Sequence, residues 1–323
     1  MEIVATIGDM CKGDDLTALT TRLVSLGVNY LRFNMDKNGI NADTEERMFA
    51  IQSIKEKLKV KIMLDLPTPN RKPRLLLNNK SYVVAKENDI IFISFAPSKC
   101  GCIYLNTSCK AKPKVGDIIY YSDYDSEWLV REVTDKGFSV KIRNSCKIYS
   151  GKSVCMGDTI ECHDIKSYIG MVNDVRPYSV ALSFVNHKSE ICDVIDLFNS
   201  NVRIISKIET YRAVNNVTEI ATLTDVMIGR GDLSMYANLL EMHLYQNEIV
   251  AAASKLKRNV YFATGILASL LDKSMASVAE IIDLSTIINY NPAGIILNYG
   301  VVKMNIERAI EIISGMYVNR IVT

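Results

Sequence analysis

The feature that most constrains this chain is a rhythm. Short runs of β-branched residues alternate with segments of helical period, and the alternation is interrupted once. Before the interruption the strand-like runs are 2–6, 29–33 and 60–64. After it they are 180–184, 202–206, 225–228, 259–263 and 294–297. Between them the apolar spacing predicts helices, for example over 16–26, 42–58, 211–221, 239–256, 278–288 and 303–313. Strands that alternate with helices pair in parallel, and eight such units close into a (β/α)8 barrel. The fold expected is therefore α/β, a TIM-type barrel. The interruption, from Thr68 to about Asp158, opens on Pro67, Pro69 and Pro73 and carries several short strand-like runs without a long helix. It reads as a small all-β lid domain inserted after strand three, so that 1–67 and 159–323 form the barrel and 68–158 the lid.

Composition narrows the function. Lys plus Arg total 38 and Asp plus Glu 36, a net charge of +2, without the basic excess of a general nucleic-acid binder. The apolar runs fall short of the roughly 20 residues a membrane helix needs. The first residues have no basic n-region or cleavage site and read as a strand, so a secretory signal is not expected. Eight cysteines in 323 residues do not make a small disulfide framework. Six of them, Cys100, Cys102, Cys109, Cys146, Cys155 and Cys162, lie in or just after the insertion with His163, but not at zinc-knuckle spacing, and read as thiols. A reduced, cytoplasmic location is expected.

In a barrel of this kind the chemistry sits at the C-terminal ends of the strands. The polar residues there are Arg32, Asn34 and Asp36 after strand two and Asp65 after strand three. Lys207 and Glu209 follow strand five, Arg230 and Asp232 strand six, and Thr264 strand seven. Glu209 and Asp232 are hard oxygen donors of the kind Mg²⁺ takes one or two of. Lys207 and Arg32 are placed to neutralise charge on a transferring phosphoryl group. Together they suit an anionic substrate with a divalent metal ion.

At these residues the sequence resembles the pyruvate kinase family. Arg32-Phe33-Asn34-Met35-Asp36 is similar to its Arg-x-Asn-Phe-Ser, and Asp65-Leu66-Pro67-Thr68-Pro69 to its Asp-x-x-Gly-Pro. Ser183-Phe184-Val185 and Ser206-Lys207-Ile208-Glu209 match, and Gly229-Arg230-Gly231-Asp232-Leu233 is similar to Ala-Arg-Gly-Asp-Leu. Ala263-Thr264-Gly265-Ile266-Leu267 resembles Ala-Thr-Gln-Met-Leu, and Val115-Gly116-Asp117-Ile118-Ile119-Tyr120 resembles the family lid. The resemblance implies a phosphotransferase acting on phosphoenolpyruvate or pyruvate with Mg²⁺ or Mn²⁺ and K⁺. It implies Lys207 on the phosphoryl group, Arg32 on the phosphate, and Glu209 and Asp232 on the divalent metal. It further implies the Gly231 and Asp232 amides, the Thr264 hydroxyl and Arg230 around the substrate, and Asn34, Asp36 and Asp65 at the monovalent cation.

Three of the departures, at Asp9, Lys37 and Asn70-Arg71-Lys72, fall on the side where the resemblance implies ADP is received, and Asp36 falls beside the monovalent cation. Asp9 stands for a Pro, Asp36 for a Ser, Lys37 for a His, and Asn186 for an Arg. Asn70-Arg71-Lys72 replaces Lys/Glu-Ile-Arg, and Asn298-Tyr299-Gly300-Val301 replaces Ser-Gly-Glu-Thr. The enolpyruvate and metal end is expected to be kept and the nucleotide end to have diverged, leaving the acceptor open. A metal-dependent lyase or aldolase working through a pyruvate enolate, and a non-catalytic metabolite-binding relative, are the rival readings. The family's C-terminal domain is not seen in the sequence, and a homo-oligomer is possible on the resemblance alone. Lys152, in Ser150-Gly151-Lys152-Ser153, is a weaker lid candidate for a nucleotide, and Tyr120, Tyr121 and Tyr124 read as sheet face. His187 and His243 form no triad-like group.

Overall fold

The structure is a computed structural model. It describes residues 1–8, 11–35, 42–67, 70–71, 73–78, 80–97, 103–105, 112–122, 125–156, 161–162, 165–198 and 202–322. Asp9, Asp36, Lys37, Thr68, Pro69, Lys72, Cys100, Cys102, Cys109, Tyr124 and His163, all singled out above, lie outside the described residues, as do the side chains of Asn70, Arg71 and Cys162.

Eight strands close into a parallel barrel in chain order. They are β1 (Glu2–Ile7), β2 (Tyr30–Asn34), β3 (Lys61–Leu66), β4 (Ser179–Leu182), β5 (Arg203–Ile208), β6 (Asp225–Gly229), β7 (Val260–Ala263) and β8 (Gly294–Leu297). β8 pairs back onto β1, with Glu2 opposite Gly294. The predicted (β/α)8 architecture is what the chain adopts. Among the described residues no helix is long and apolar enough to cross a membrane.

The period of two along each strand fixes what fills the barrel. Val4, Tyr30, Met63, Ala181, Ile205, Met227, Tyr261, Ala263 and Ile296 point inward and form one buried apolar cluster. Residues two positions further on share that face. From β1 to β6 these are Thr6, Arg32, Asp65, Ser183, Lys207 and Gly229, so a polar layer lies directly on the apolar plug. Two positions earlier the inward face is also polar, and it is closed internally. Lys61 pairs with Glu2, Arg203 lies 3.6 Å from Asp225, and the Tyr30 and Ser179 hydroxyls are hydrogen-bonded. Burial pushes the Tyr261 phenol up to about 12, against the opposing effect of the Arg203 guanidinium bonded to it.

Several helices differ from the sequence reading. The stretch 211–221 is two short helices, Tyr211–Asn215 and Val217–Ala221, broken at Asn216. At the break the Asn216 side-chain amide donates to the Asn186 carbonyl at 2.9 Å, a contact between distant parts of the chain. The last helix runs Tyr299–Val322 with a non-helical Asn305, whose side-chain amide donates to the Leu270 carbonyl at 2.6 Å. A helix over Lys166–Val175, which the periodicity did not reveal, precedes β4.

The chain divides into two compact units, Met1–Thr68 with Asp164–Leu233 and Leu240–Thr323, and Pro69–His163 with Ser234–Leu239. The second is β-rich. Its main sheet has seven strands, ordered Val154–Cys155, Ile118–Tyr121, Ser126–Val133, Gly137–Ile142, Ile90–Ser94, Ile103–Leu105 and Leu75–Leu77. Trp128 is its centre, stacked on the buried Tyr121 at 5.0 Å between centroids and donating from the indole to Ser126 Oγ. Tyr121 therefore belongs to the core of this unit. Neither Cys146 nor Cys155 is in a disulfide, the Cys155 thiol donates to the Met235 carbonyl at 3.4 Å, and Lys152 is exposed.

Candidate active site

The polar layer is organised around Asp65. It ends β3 on the inward face and is fully buried, at 0% exposure. Such a carboxylate persists only if cations and hydrogen bonds replace its water. Arg32, across the β2–β3 pairing, donates to Oδ2 through Nε at 2.9 Å and through a second nitrogen. Lys207 Nζ lies 3.3 Å from Oδ1 and Oδ2, and the Ser183 hydroxyl donates to Oδ1 at 3.1 Å. Burial alone would raise the Asp65 carboxyl, but the Lys207 and Arg32 cations outweigh it and hold it below the usual carboxylate range.

Lys207 is 7% exposed. Its ammonium donates to Ser183 Oγ at 3.0 Å and pairs with Glu209 Oε1 at 3.1 Å. Burial would lower it, yet Asp65 and Glu209 reverse the effect, Asp232 adds to them, and the Lys207 ammonium titrates above its ordinary range. Lys207 therefore keeps its charge. Glu209, 2% exposed, also accepts the backbone N–H of Phe184 at Oε2, 2.9 Å away. Arg32 completes the layer by donating to Thr6 Oγ1 at 3.0 Å.

The structure thus brings together Arg32, Asp65, Lys207 and Glu209, with Asp232 near enough to bias Lys207. Asp232 lies in the first turn of the helix that opens at Arg230, beside Gly231, and both are half-buried. Asn34 is the register partner of Asp65 and is half-buried. Thr264 is exposed at the end of β7 with φ +72, a left-handed conformation that a β-branched residue rarely adopts. Strain of this kind gathers at functional sites. Arg230 is turned to scaffolding. Nε and a terminal nitrogen donate to the Thr264 carbonyl at 3.1 and 3.0 Å, and the other terminal nitrogen to Asp283 at 2.7 Å.

Two residues carry more of the site than the motifs indicated. Ser183 links Lys207 to Asp65, and the rule that strand ends carry the chemistry would have found it. Phe184, next to it, has φ +53 and holds Glu209 through its backbone; no sequence signal points to that.

Among the described residues no three His, Cys, Asp or Glu cluster as metal ligands. The donor chemistry nevertheless fits a divalent ion of the magnesium type, which is satisfied by one or two carboxylates with water and substrate oxygens. Glu209 and Asp232 are such a pair, and both act on the Lys207 ammonium.

The chain is similar to known proteins. The family model of the pyruvate kinase barrel domain matches residues 1–297. The chain is 27% identical over 303 residues to the pyruvate kinase of Thermotoga maritima, covering 89% of this chain and 63% of that protein. It is 27% identical over 316 residues to the pyruvate kinase of Candida albicans, covering 88% and 60%. It therefore spans about three fifths of the length of these relatives. The solved pyruvate kinase of Cryptosporidium parvum has the same fold, with a TM-score of 0.76 at 20% identity, over 98% of this chain and 68% of that one. With the matched model running through all eight barrel strands, the chain belongs to the pyruvate kinase family.

Proposed function

We propose that this chain moves a phosphoryl group between phosphoenolpyruvate and an acceptor, with a divalent metal ion and a monovalent cation. The observation that carries the reading is the buried, charged Lys207 ammonium at the C-terminal mouth of the barrel, between Asp65 and Glu209. An ammonium fixed before substrate arrives stabilises charge on the phosphoryl oxygens and on the enolate without reorganising. Arg32, clamped by Asp65 and Thr6, presents a rigid guanidinium for the phosphate. The Gly231 and Asp232 amides and the Thr264 hydroxyl receive the carboxylate of the substrate. Glu209 and Asp232 hold the metal ion, which when bound neutralises phosphoryl charge and orients the substrate oxygens. Asn34, Asp36 and Asp65 are the residues for K⁺.

The acceptor side supports a partner other than an ordinary nucleotide diphosphate. Asn186 stands where the resembling motif has a cation, and it is built into the scaffold. Its side-chain oxygen takes the Thr210 hydroxyl and its N–H donates to Glu190 at 2.7 Å. Tyr299 stands where that motif has Gly, and its ring rests on Gly8, where any Cβ would overlap it.

The test is pyruvate release from phosphoenolpyruvate with Mg²⁺ or Mn²⁺ and K⁺, with and without ADP, beside Lys207→Met. Release with some phosphoryl acceptor, abolished in Lys207→Met, supports the phosphotransferase. Dependence on ADP overturns the diverged acceptor. Metal-dependent binding of pyruvate with no phosphate leaving phosphoenolpyruvate under any acceptor overturns the transfer reaction and favours carbon–carbon chemistry on the enolate.

A further inference from the structure

The loop that leaves β7 passes through left-handed backbone at Thr264, Gly265 and Leu267, with φ +72, +74 and +51. Glycine takes such values freely, whereas threonine and leucine hold them only where their surroundings over-determine them. At Thr264 the surrounding group is Arg230. Its Nε and one terminal nitrogen donate to the Thr264 carbonyl at 3.1 and 3.0 Å, and its other terminal nitrogen donates to Asp283 at 2.7 Å. Asp283 belongs to the helix Val278–Asn289. One turn earlier in that helix, Glu280 accepts the Ser269 N–H at 2.7 Å, so the same helix holds the loop again at Ser269. The Thr264 side chain, in contrast, makes no hydrogen bond among the described residues, and the residue is exposed.

A pinned carbonyl fixes a side chain. The nitrogen of Thr264 is set by β7, which ends at Ala263. Rotation about φ then swings the carbonyl and the side chain together around the N–Cα bond. While Arg230 holds the carbonyl, the hydroxyl is confined to the few positions that χ1 allows. A guanidinium suits this task, because its planar fork grips one oxygen with two N–H groups while a third reaches Asp283. A lysine ends in one compact ammonium and lacks the fork. We propose that Arg230, braced by Asp283, is a positioning residue that holds Thr264 in its left-handed conformation with the hydroxyl directed at the substrate carboxylate. Arg230 acts on the substrate only through Thr264, in place of the direct contact that the family resemblance implies. This role rests on the phosphotransfer reading, in which Thr264 receives that carboxylate.

The experiment compares wild type with Arg230→Lys, Asp283→Ala, Thr264→Ala and the double variant Arg230→Lys with Thr264→Ala. Each is titrated calorimetrically with phosphoenolpyruvate, pyruvate and inorganic phosphate, in Mg²⁺ and K⁺ and without an acceptor. Arg230→Lys keeps the charge and loses the fork. It is expected to weaken phosphoenolpyruvate and pyruvate about ten-fold, the usual loss of a hydrogen bond to a charged group. Asp283→Ala frees one arm of the guanidinium and is expected to weaken both ligands by about three-fold or more. Inorganic phosphate has no carboxylate and is expected to bind every variant within about two-fold of wild type. In the Thr264→Ala background, Arg230→Lys is expected to cost no more than about two-fold further, because the hydroxyl that it positions is gone.

Phosphoenolpyruvate binding that Arg230→Lys leaves unchanged overturns the positioning role. So does a loss of equal size with and without the Thr264 hydroxyl, since Arg230 would then meet the substrate itself. A loss that inorganic phosphate shares in full is a general disruption of the barrel mouth and overturns it as well. If Arg230→Lys does not fold, Asp283→Ala and its double variant with Thr264→Ala are read by the same rule. Wild type that binds neither phosphoenolpyruvate nor pyruvate removes the phosphotransfer reading, and the role of Arg230 with it. Wild type that binds both, with Arg230→Lys binding equally well, removes the role of Arg230 alone.

Discussion

Lys207 Nζ lies 3.3 Å from Asp65, and each residue is the reason the other stays charged in the barrel interior. Ser183 is bonded to both, at 3.0 and 3.1 Å, and fixes their separation. A charged pair buried in this way stabilises little by itself, yet removing one partner strands the other. Asp65 is the worse loss, because it serves Arg32 as well.

Asp65→Ala is therefore expected to destabilise the barrel by about 3–5 kcal/mol, as an uncompensated buried charge does. Lys207→Met, which leaves Asp65 paired with Arg32, is expected to lose less stability while abolishing transfer. Denaturant midpoints of the two variants check the order. Because the Asp65 carboxyl is held low, its contribution is present above the unfolded carboxylate value of about 4 and is lost as pH falls through its lowered folded value.

Thr264→Gly separates strain from chemistry. At φ +72 the threonine stores about 1–3 kcal/mol, which glycine relieves at a conformational-entropy cost of similar or smaller size. The variant is expected to melt no lower than wild type. Its kcat/KM for phosphoenolpyruvate is expected to fall about ten-fold or more, since a hydrogen bond to a charged group is worth about 1.5–3 kcal/mol. A lower melting temperature with unchanged kinetics would show that Thr264 is scaffold only.

Glu280 gives a pH dependence away from the site. It caps the helix Val278–Asn289, accepting from the Ser277 N–H at 2.8 Å and the Ser269 N–H at 2.7 Å. Burial opposes ionisation, but these bonds and those from the Ser269 and Ser277 hydroxyls together outweigh it and hold its carboxyl at about 2. A depressed carboxyl stabilises above its unfolded value of about 4.3 and stops doing so as pH falls toward 2. Wild type is expected to exceed Glu280→Gln by about 1 kcal/mol, the size of a helix cap, from pH 7 to about pH 5. Below about pH 4 the melting difference is expected to narrow.

Gly8 and Tyr299 form a pair across the ends of β1 and β8. Gly8→Ala drives a methyl into the Tyr299 ring and is expected to destabilise by about 1–3 kcal/mol, the usual effect of overpacking. In a Tyr299→Ala background the same change is expected to cost less than about 0.5 kcal/mol. Equal costs in the two backgrounds would show that the ring is not the obstacle.

Much of this was legible in the chain. The β-branched runs separated by helical periods specify parallel pairing, and their number specifies closure. The inward polar layer follows from the same counting. Arg32, Asp65 and Lys207 each stand two residues beyond an apolar inward residue, Tyr30, Met63 and Ile205. What the pattern did not reveal are contacts between residues far apart in sequence. Arg230 directly follows β6, as a catalytic cation would, and yet its guanidinium ties Thr264 to Asp283. The break at Asn216 depends on the Asn186 carbonyl, thirty positions away.

The sequence by itself determined the period of the elements, the face on which each polar residue stands and the order in which they meet the barrel mouth, because strand and helix geometry are local. Only the tertiary structure decided which groups touch. The Glu209 carboxylate lies against Gly229, the Phe184 amide and Lys207, from three strands, and nothing in the local chain of any of them requires it. Charge state follows those contacts, since whether a buried lysine or aspartate stays ionised depends on the partner that replaces its water, and the partner is supplied by the fold.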